Sequence, residues 1–328
     1  MQQSGKPKCE GYKTPSYSLV FLDGVLAPDL SDTQKLPASI TWHFNKGLYL
    51  EVKENFTLDY PLHLLFLATN TNANSIKLRN KIIVKANSTI TIIEEYKAQT
   101  ELSYTNNIET NIATEVGSLI TYYKLQHENE AAIHKSSLII NQAAKSQVDL
   151  KQLNSGGSNS CNKLLVNLTD NEAKFSLQGI SFAHNTQETA YHLRIEHRSP
   201  NTTSNILYKK ILNDKARASF SGRIVVANEA TKAVAHLTNK NLLLSDTAEI
   251  KTEPELEVYA QDVNCTHGAT IGQLDNNALF YLQCRGIALK MAQELLIQGF
   301  IAEIIASFTL LDTAKLYEQY SSPISNSK

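Results

Sequence analysis

Cysteine is scarce in this 328-residue chain. There are four, Cys9, Cys161, Cys265 and Cys284, too scattered for metal-ligand spacing among themselves. That argues against a disulfide framework and fits a reducing cytosol. Excess charge of either sign is also missing. Lys and Arg total 31 against 32 for Asp and Glu, a net charge of −1, which argues against an electrostatic surface for nucleic acid or anionic membrane. The most apolar stretch, Leu295 to Leu311, is interrupted by Gln298 and Glu303 and is too short and too polar to span a bilayer. Residues 1–13 contain no apolar segment of the signal-peptide kind. The loop at Gly156-Gly157 lacks the Lys-Ser/Thr ending of a phosphate-binding P-loop and reads as a surface turn. The expectation is a soluble, cytoplasmic protein without a nucleotide motif of its own.

What is present is a recurrence. Gly5, Pro7, Gly11 and Pro15 break any period in residues 1–16, which are expected to be loose, and Tyr17 to Phe21 reads as a short strand ending in Asp23-Gly24. From Ser39 onward short alternating runs follow one another, each preceded by a small or charged turn. The turn centres Ser88, Gly117, Lys145 and Ala173 are 29, 28 and 28 residues apart; the later steps, at 43 and 32, are irregular. Such a period suits a β-solenoid, in which one coil cannot bury its inner face alone but a stack gives a continuous core. Val148/Leu150, Phe175/Leu177 and Ile224/Val226 fit the inward role. A β-sandwich or jelly roll of short strands permits the same alternation. After Asn276 the period becomes helical: a short turn over Leu279 to Cys284, stopped by Gly286, then a helix from about Ala288 to Thr309. That helix is apolar around more of its circumference than one sheet face covers. Either it is buried against the solenoid end and a second helix, or it docks a partner. The resulting division is 1–38, a short N-terminal segment; 39–276, a β-helix core; and 277–328, a C-terminal helical region.

Two stretches carry candidate chemistry. His184, His192 and His197 fall within fourteen residues, but no Asp or Cys completes them at ligand spacing. Cys265 and His267 are two apart, so a strand points both to one face and sets a thiol beside an imidazole. Both are iron–sulfur and soft-metal ligand types; an ordinary packed pair is the alternative. The wording around them is more specific. Pro254-Glu255-Leu256-Glu257-Val258-Tyr259-Ala260, Cys265-x-His267-Gly268-Ala269-Thr270 and Phe280-Tyr281-Leu282-x-x-Arg285-Gly286 closely resemble the C-terminal signature of the SufB/SufD family, the paired scaffold subunits of the Suf iron–sulfur cluster assembly system. Lys215 to Ile224 and Leu19 to Gly24 extend the resemblance over nearly the whole chain. His267 is followed by Gly268, as in the SufD branch, where SufB has Glu. Thr238 to Asn241 lacks the cysteine that SufB carries there.

The resemblance implies a mainly β protein built on a right-handed parallel β-helix, with a C-terminal helical region and an N-terminal segment reduced relative to the family. It implies a non-catalytic scaffold pairing with a SufB-like subunit. The cofactor would be a transient iron–sulfur cluster shared with that subunit, none being tightly bound by this chain alone. His267 matches the proposed ligand position, and Cys265 is either a helper there or a packed thiol. The SufC ATPase would dock on the C-terminal helices, for which Ile297, Ile301, Ile304, Ile305 and Phe308 are the candidate contacts. Neither nucleic acid nor membrane is an expected partner. One alternative is a homodimer that binds iron by self-pairing. Another, disfavoured, is a β-helix carbohydrate-active enzyme. That needs grouped carboxylates, and only Glu94-Glu95 and Glu255-x-Glu257 approach a group.

Overall fold

The computed structural model describes residues 12–69 and 75–317; the tail expected to be loose at 321–328, and most of the loose start, lie outside them. In chain order the strands are β1 (Tyr17–Leu22), β2 (Val25–Leu26), β3 (Ile40–Phe44), β4 (Leu48–Val52), β5 (Leu62–Ala68), β6 (Ser75–Val84), β7 (Thr89–Ala98), β8 (Thr105–Thr114), β9 (Leu119–His127) and β10 (Ile133–Gln142). They continue with β11 (Gln147–Ser155), β12 (Asn159–Leu168), β13 (Lys174–Ala183), β14 (Glu188–His197), β15 (Thr203–Leu212), β16 (Arg217–Val226), β17 (Val234–Leu243), β18 (Glu249–Val258) and β19 (Asn264–Gly272). Helices α1 (Asn276–Cys284) and α2 (Leu289–Ser307) follow.

From β4 on, successive strands alternate between two sheets, and each strand pairs in parallel with the strand two places further on. The result is a solenoid of about eight turns. Alternation decides the faces. In β6, Ile76, Leu78, Ile82 and Val84 are buried while Lys77, Arg79 and Lys81 are exposed, as a period of two requires. Side chains stack in register from coil to coil, so Ile112, Ile140, Val166, Ile195 and Ile224 form one inner row. β1 lies within residues 1–38 yet is hydrogen-bonded to β5 in the same sheet.

One corner of the coil repeats a left-handed residue. Asn55, Asn87, Gly117, Lys145, Glu172, Asn201, Lys232 and Asp262 all have φ between 54° and 67°, at intervals of 27 to 32 residues. They sit where the chain leaves the even-numbered strands for the odd-numbered ones. Successive corners are tied together: Asn87 Nδ2 donates to Asn55 Oδ1 at 3.2 Å and Asn201 Nδ2 to Asn171 Oδ1 at 2.8 Å. Asn and Gly tolerate this conformation at least cost. The irregular steps in the sequence recurrence now have a reason. Ala216 and Ala248 belong to the opposite corner, so the series changed corners after Ala173.

α2 lies across the outer face of the odd-numbered sheet. Ile297, Ile301, Ile304, Ile305 and Phe308 are buried there with Ile93, Tyr123, Leu153, Ile180, Ile211 and Leu242 from six strands. Nineteen helical residues extend about 28 Å, and six strands about 4.8 Å apart span roughly 24 Å, so helix and surface match in length. The direction is fixed by contacts. Lys209 Nζ on β15 donates to the Phe300 carbonyl at 2.7 Å, whereas Tyr123 on β9 meets Phe308 edge-on at 5.9 Å. The helix therefore runs back towards the start of the solenoid, where Lys13 N donates to the Leu310 carbonyl at 2.9 Å.

His197, at the end of β14, is fully buried, with its ring nitrogens 2.9 Å from Thr202 Oγ1 and 2.8 Å from Ser204 Oγ. Burial pushes it down to about 4, below an unfolded value of about 6.5. The unfolded chain then binds the extra proton first, so this contribution to stability is complete above about pH 6.5 and is lost as pH falls towards 4. Urea unfolding at pH 7 and pH 4.5 should show His197→Gln losing about 2–3 kcal/mol less than the native chain over that interval.

Candidate functional site: the open end of the solenoid

The two ends of the stack differ. At the start, β2 runs antiparallel along β1 and β3 antiparallel along β4, and such reversals blunt a sheet edge. At the far end β18 and β19 are the last strands of their sheets, each hydrogen-bonded on one side only. Among the described residues nothing stacks on their inner rows. On β19, Cys265 stands over Ala235, His267 over Leu237, Ala269 over Asn239 and Ile271 over Asn241. On β18, Ile250, Thr252, Pro254, Leu256 and Val258 stand over Ala218, Phe220, Gly222, Ile224 and Val226.

Cys265 and His267 thus share a face, as their spacing requires, and it is the inward one. In earlier coils that row is buried; here the imidazole of His267 is exposed and the thiol of Cys265 is half-buried at the margin of the core. Burial pushes the Cys265 thiol above its ordinary value, opposed by a hydrogen bond with the Ala235 backbone, which keeps it protonated and a poor ligand until a cation approaches. Thr252 Oγ1 donates to Asn239 Oδ1 at 2.9 Å across the floor of the opening. Val258, Tyr259 and Ile271 form an exposed apolar rim that sequence reasoning missed. The signal was an inward row continuing past the last predicted coil. Among the described residues no three His, Cys, Asp or Glu side chains gather as a metal site; the inner row of β19 carries two ligand types, Cys265 and His267.

The other candidates separate. His184, His192 and His197 do not converge: His197 is buried inward, His192 is exposed on the outer face, and His184 is 3.6 Å from Glu130. Glu94 is buried and accepts hydrogen bonds from Tyr96 and Tyr122; Glu255 and Glu257 are held by Arg223 at 2.6 and 3.5 Å. Neither acidic group forms an open carboxylate pair. The docking contacts need correction. Ile297, Ile301, Ile304, Ile305 and Phe308 are buried within the chain, because the odd-numbered strands carry an apolar stripe on their outer face that the helix covers. The helical surface left exposed is a different one: Phe280 and Tyr281 on α1, with Leu289, Met291 and Leu295 at the start of α2. Arg285 stands over the Tyr281 ring at 4.4 Å.

Residues 66–300 match the family described as the SUF system iron–sulfur cluster assembly SufBD core domain. The chain belongs to the SufBD family. It is 30% identical to an iron–sulfur cluster assembly SufBD family protein of Synechocystis sp., over 89% of this chain and 74% of that protein. It is 28% identical to the iron–sulfur cluster assembly protein SufD of Escherichia coli, over 88% and 74% respectively. With the chloroplastic protein ABCI7 of Arabidopsis thaliana it shares 27% identity over 80% of this chain and 57% of that protein. The family match runs from β5 through β19 and α1 into the first part of α2, so the SufBD core includes the open end of the solenoid. Among the described residues no helix is long and apolar enough to cross a membrane.

Replacing Ile301 by Asp should destabilise the chain by about 3–5 kcal/mol, since it leaves an unpaired charge in a dry interface. Denaturant unfolding of the subunit alone measures it; a stable, fully folded variant would contradict the burial of α2.

Proposed function

We propose that this chain is a non-catalytic scaffold subunit for iron–sulfur cluster assembly, whose open coil end pairs with a SufB-like subunit and whose C-terminal helices receive the SufC ATPase. The observation that carries the reading is the exposed imidazole of His267 in an inner row that no further coil covers. A cluster or its iron takes about four Cys or His ligands. The inner row of β19 carries two, Cys265 and His267, and in this reading a second chain supplies the others. Iron and sulfide are cargo here, and a neutral imidazole that exchanges readily suits a transient load. The unpaired edges of β18 and β19 offer backbone donors and acceptors for strand addition, and the apolar rim supplies area to bury.

The helices are linked to that junction. Three residues, Gln273 to Asp275, separate β19 from α1. A partner that shifts α1 through Phe280 and Tyr281 pulls directly on the strand that bears His267. This chain has no nucleotide motif, so the energy for such a shift comes from the ATPase.

In a reconstituted complex, His267→Ala should lower the cluster assembly rate at least tenfold, and Cys265→Ser should lower it less. Assembly at the native rate with His267→Ala removes the ligand role. Co-purification tests the pairing: a stoichiometric complex with SufB and SufC supports it, and recovery only as a dimer of this chain refutes it. The double change Phe280→Glu and Met291→Glu should weaken ATPase capture more than tenfold while leaving the unfolding midpoint of the free subunit unchanged, because both side chains are exposed.

A further inference from the structure

Among the described residues no helix covers the outer face of the even-numbered sheet, and a groove of about 360 Å³ lies on it across β10, β12, β14 and β16. Register builds its lining. Ser137, Lys163, His192 and Ser221 are paired neighbours in one outward row. Two residues along, Ile139, Leu165, Arg194 and Arg223 form the next. Adjacent strands are about 4.8 Å apart, and residues two apart on one strand about 6.6 Å. Four basic side chains therefore gather over one end of the groove, beside an apolar floor of Ile139 and Leu165.

The two arginines there are already paired. Arg194 Nε donates to Glu196 at 2.7 Å, and Arg223 is held by Glu255 and Glu257. Further carboxylates sit at the ends of the first row. Glu253 is engaged by Lys251 at 2.8 Å, and Glu109 accepts from Asn111 at 3.1 Å. Lys163 and His192 are exposed and make no ion pair among the described residues. An ammonium, an imidazole, two hydroxyls and the Arg194 guanidinium, which meets Glu196 through Nε, suit an oxyanion that accepts several hydrogen bonds.

We infer that this groove binds a small organic phosphate, with the phosphate among Lys163, His192 and Arg194 and an attached planar apolar group on Ile139 and Leu165. The volume is near the lower limit of small-molecule sites, roughly 300–1,000 Å³, and is too small for a protein segment of ordinary interface size. The floor selects an ester over the free ion, since inorganic phosphate leaves Ile139 and Leu165 wet.

Calorimetric titration of the full chain alone, with ADP and separately with inorganic phosphate as probes, tests it. The expected result is one ADP per chain, bound at least tenfold more tightly than phosphate and more weakly as salt rises. Lys163→Met should weaken ADP about tenfold. Leu165→Asn should bring ADP and phosphate to within about threefold of each other. Thermal unfolding of each variant confirms that it is folded. Absence of saturable ADP binding at millimolar concentration, equal affinity of the native chain for both probes, or native ADP affinity in folded Lys163→Met overturns the site.

Discussion

A parallel coil closes its inner face only with the coil that follows it, and the rest of this molecule depends on that constraint. Inner rows are stacked in register over the whole solenoid, so each coil buries the one before. The debt passes along the chain until there is no further coil. At the start, reversed strands β2 and β3 settle it within the chain. At the end they have no counterpart among the described residues, and the inner row of β19 is left to face outward. A residue that would be a buried core position in any earlier coil becomes a surface residue there, with no change in local backbone. His267 is exposed for this reason and not because the chain bulges or loops out.

The interior is not uniformly apolar, and the register shows why that is tolerated. One inner row of the odd-numbered sheet reads Glu94, Lys124, Gln152, Gly179, Tyr208, Asn239. Buried polar groups of this kind need partners, and they find them across the lumen and between coils. Tyr191 Oη donates to Gln152 at 2.6 Å, Asn154 Nδ2 to Tyr208 Oη at 2.9 Å, and Asn239 Nδ2 to the Tyr208 carbonyl at 3.0 Å. Gly179 makes room in the row, since a Cβ there would lie 2.4 Å from the Tyr208 ring. Lys210 is the extreme case, fully buried and hydrogen-bonded to Thr189 and the Ser219 carbonyl. Desolvation pushes it down to about 7. The polar seam ends below Ala269 and Ile271, beside the opening, so the last coil covers a polar floor with a thin apolar layer.

Much of this was legible in the amino-acid order. Period-2 runs at a spacing near 28 residues identify coils, and the two-residue spacing of Cys265 and His267 puts them on one face of a strand. The side of the sheet was not legible from spacing, because alternation is symmetric between inward and outward until neighbouring strands are known. Register settles it: residue 267 follows Leu237 in a row that is buried in every coil before it. The corner ladder was half visible. Asn87, Gly117, Lys145 and Glu172 keep a near-constant interval, but corners in a two-sheet coil come in two kinds with similar small and charged residues. The series therefore crossed from one kind to the other at Ala216.

The misplaced docking face shows the same limit from the other direction. A helix apolar on two sides cannot declare which side belongs to its own chain; that is decided by what the rest of the chain leaves uncovered. The deciding residues lay far upstream. In β7, Ile92 and Ile93 are both buried, in β9 Tyr122 and Tyr123, and in β13 Phe182 breaks the alternation again. Those odd-numbered strands carry an apolar stripe on the outer face as well, while β6 and β8 of the other sheet alternate cleanly. A sheet with an apolar stripe on its outer face demands an outer cover there, and the only long apolar helix among the described residues is α2. Its isoleucine face satisfies the sheet, which leaves Met291, Leu295 and the aromatic pair on α1 as the surface still in need of a partner.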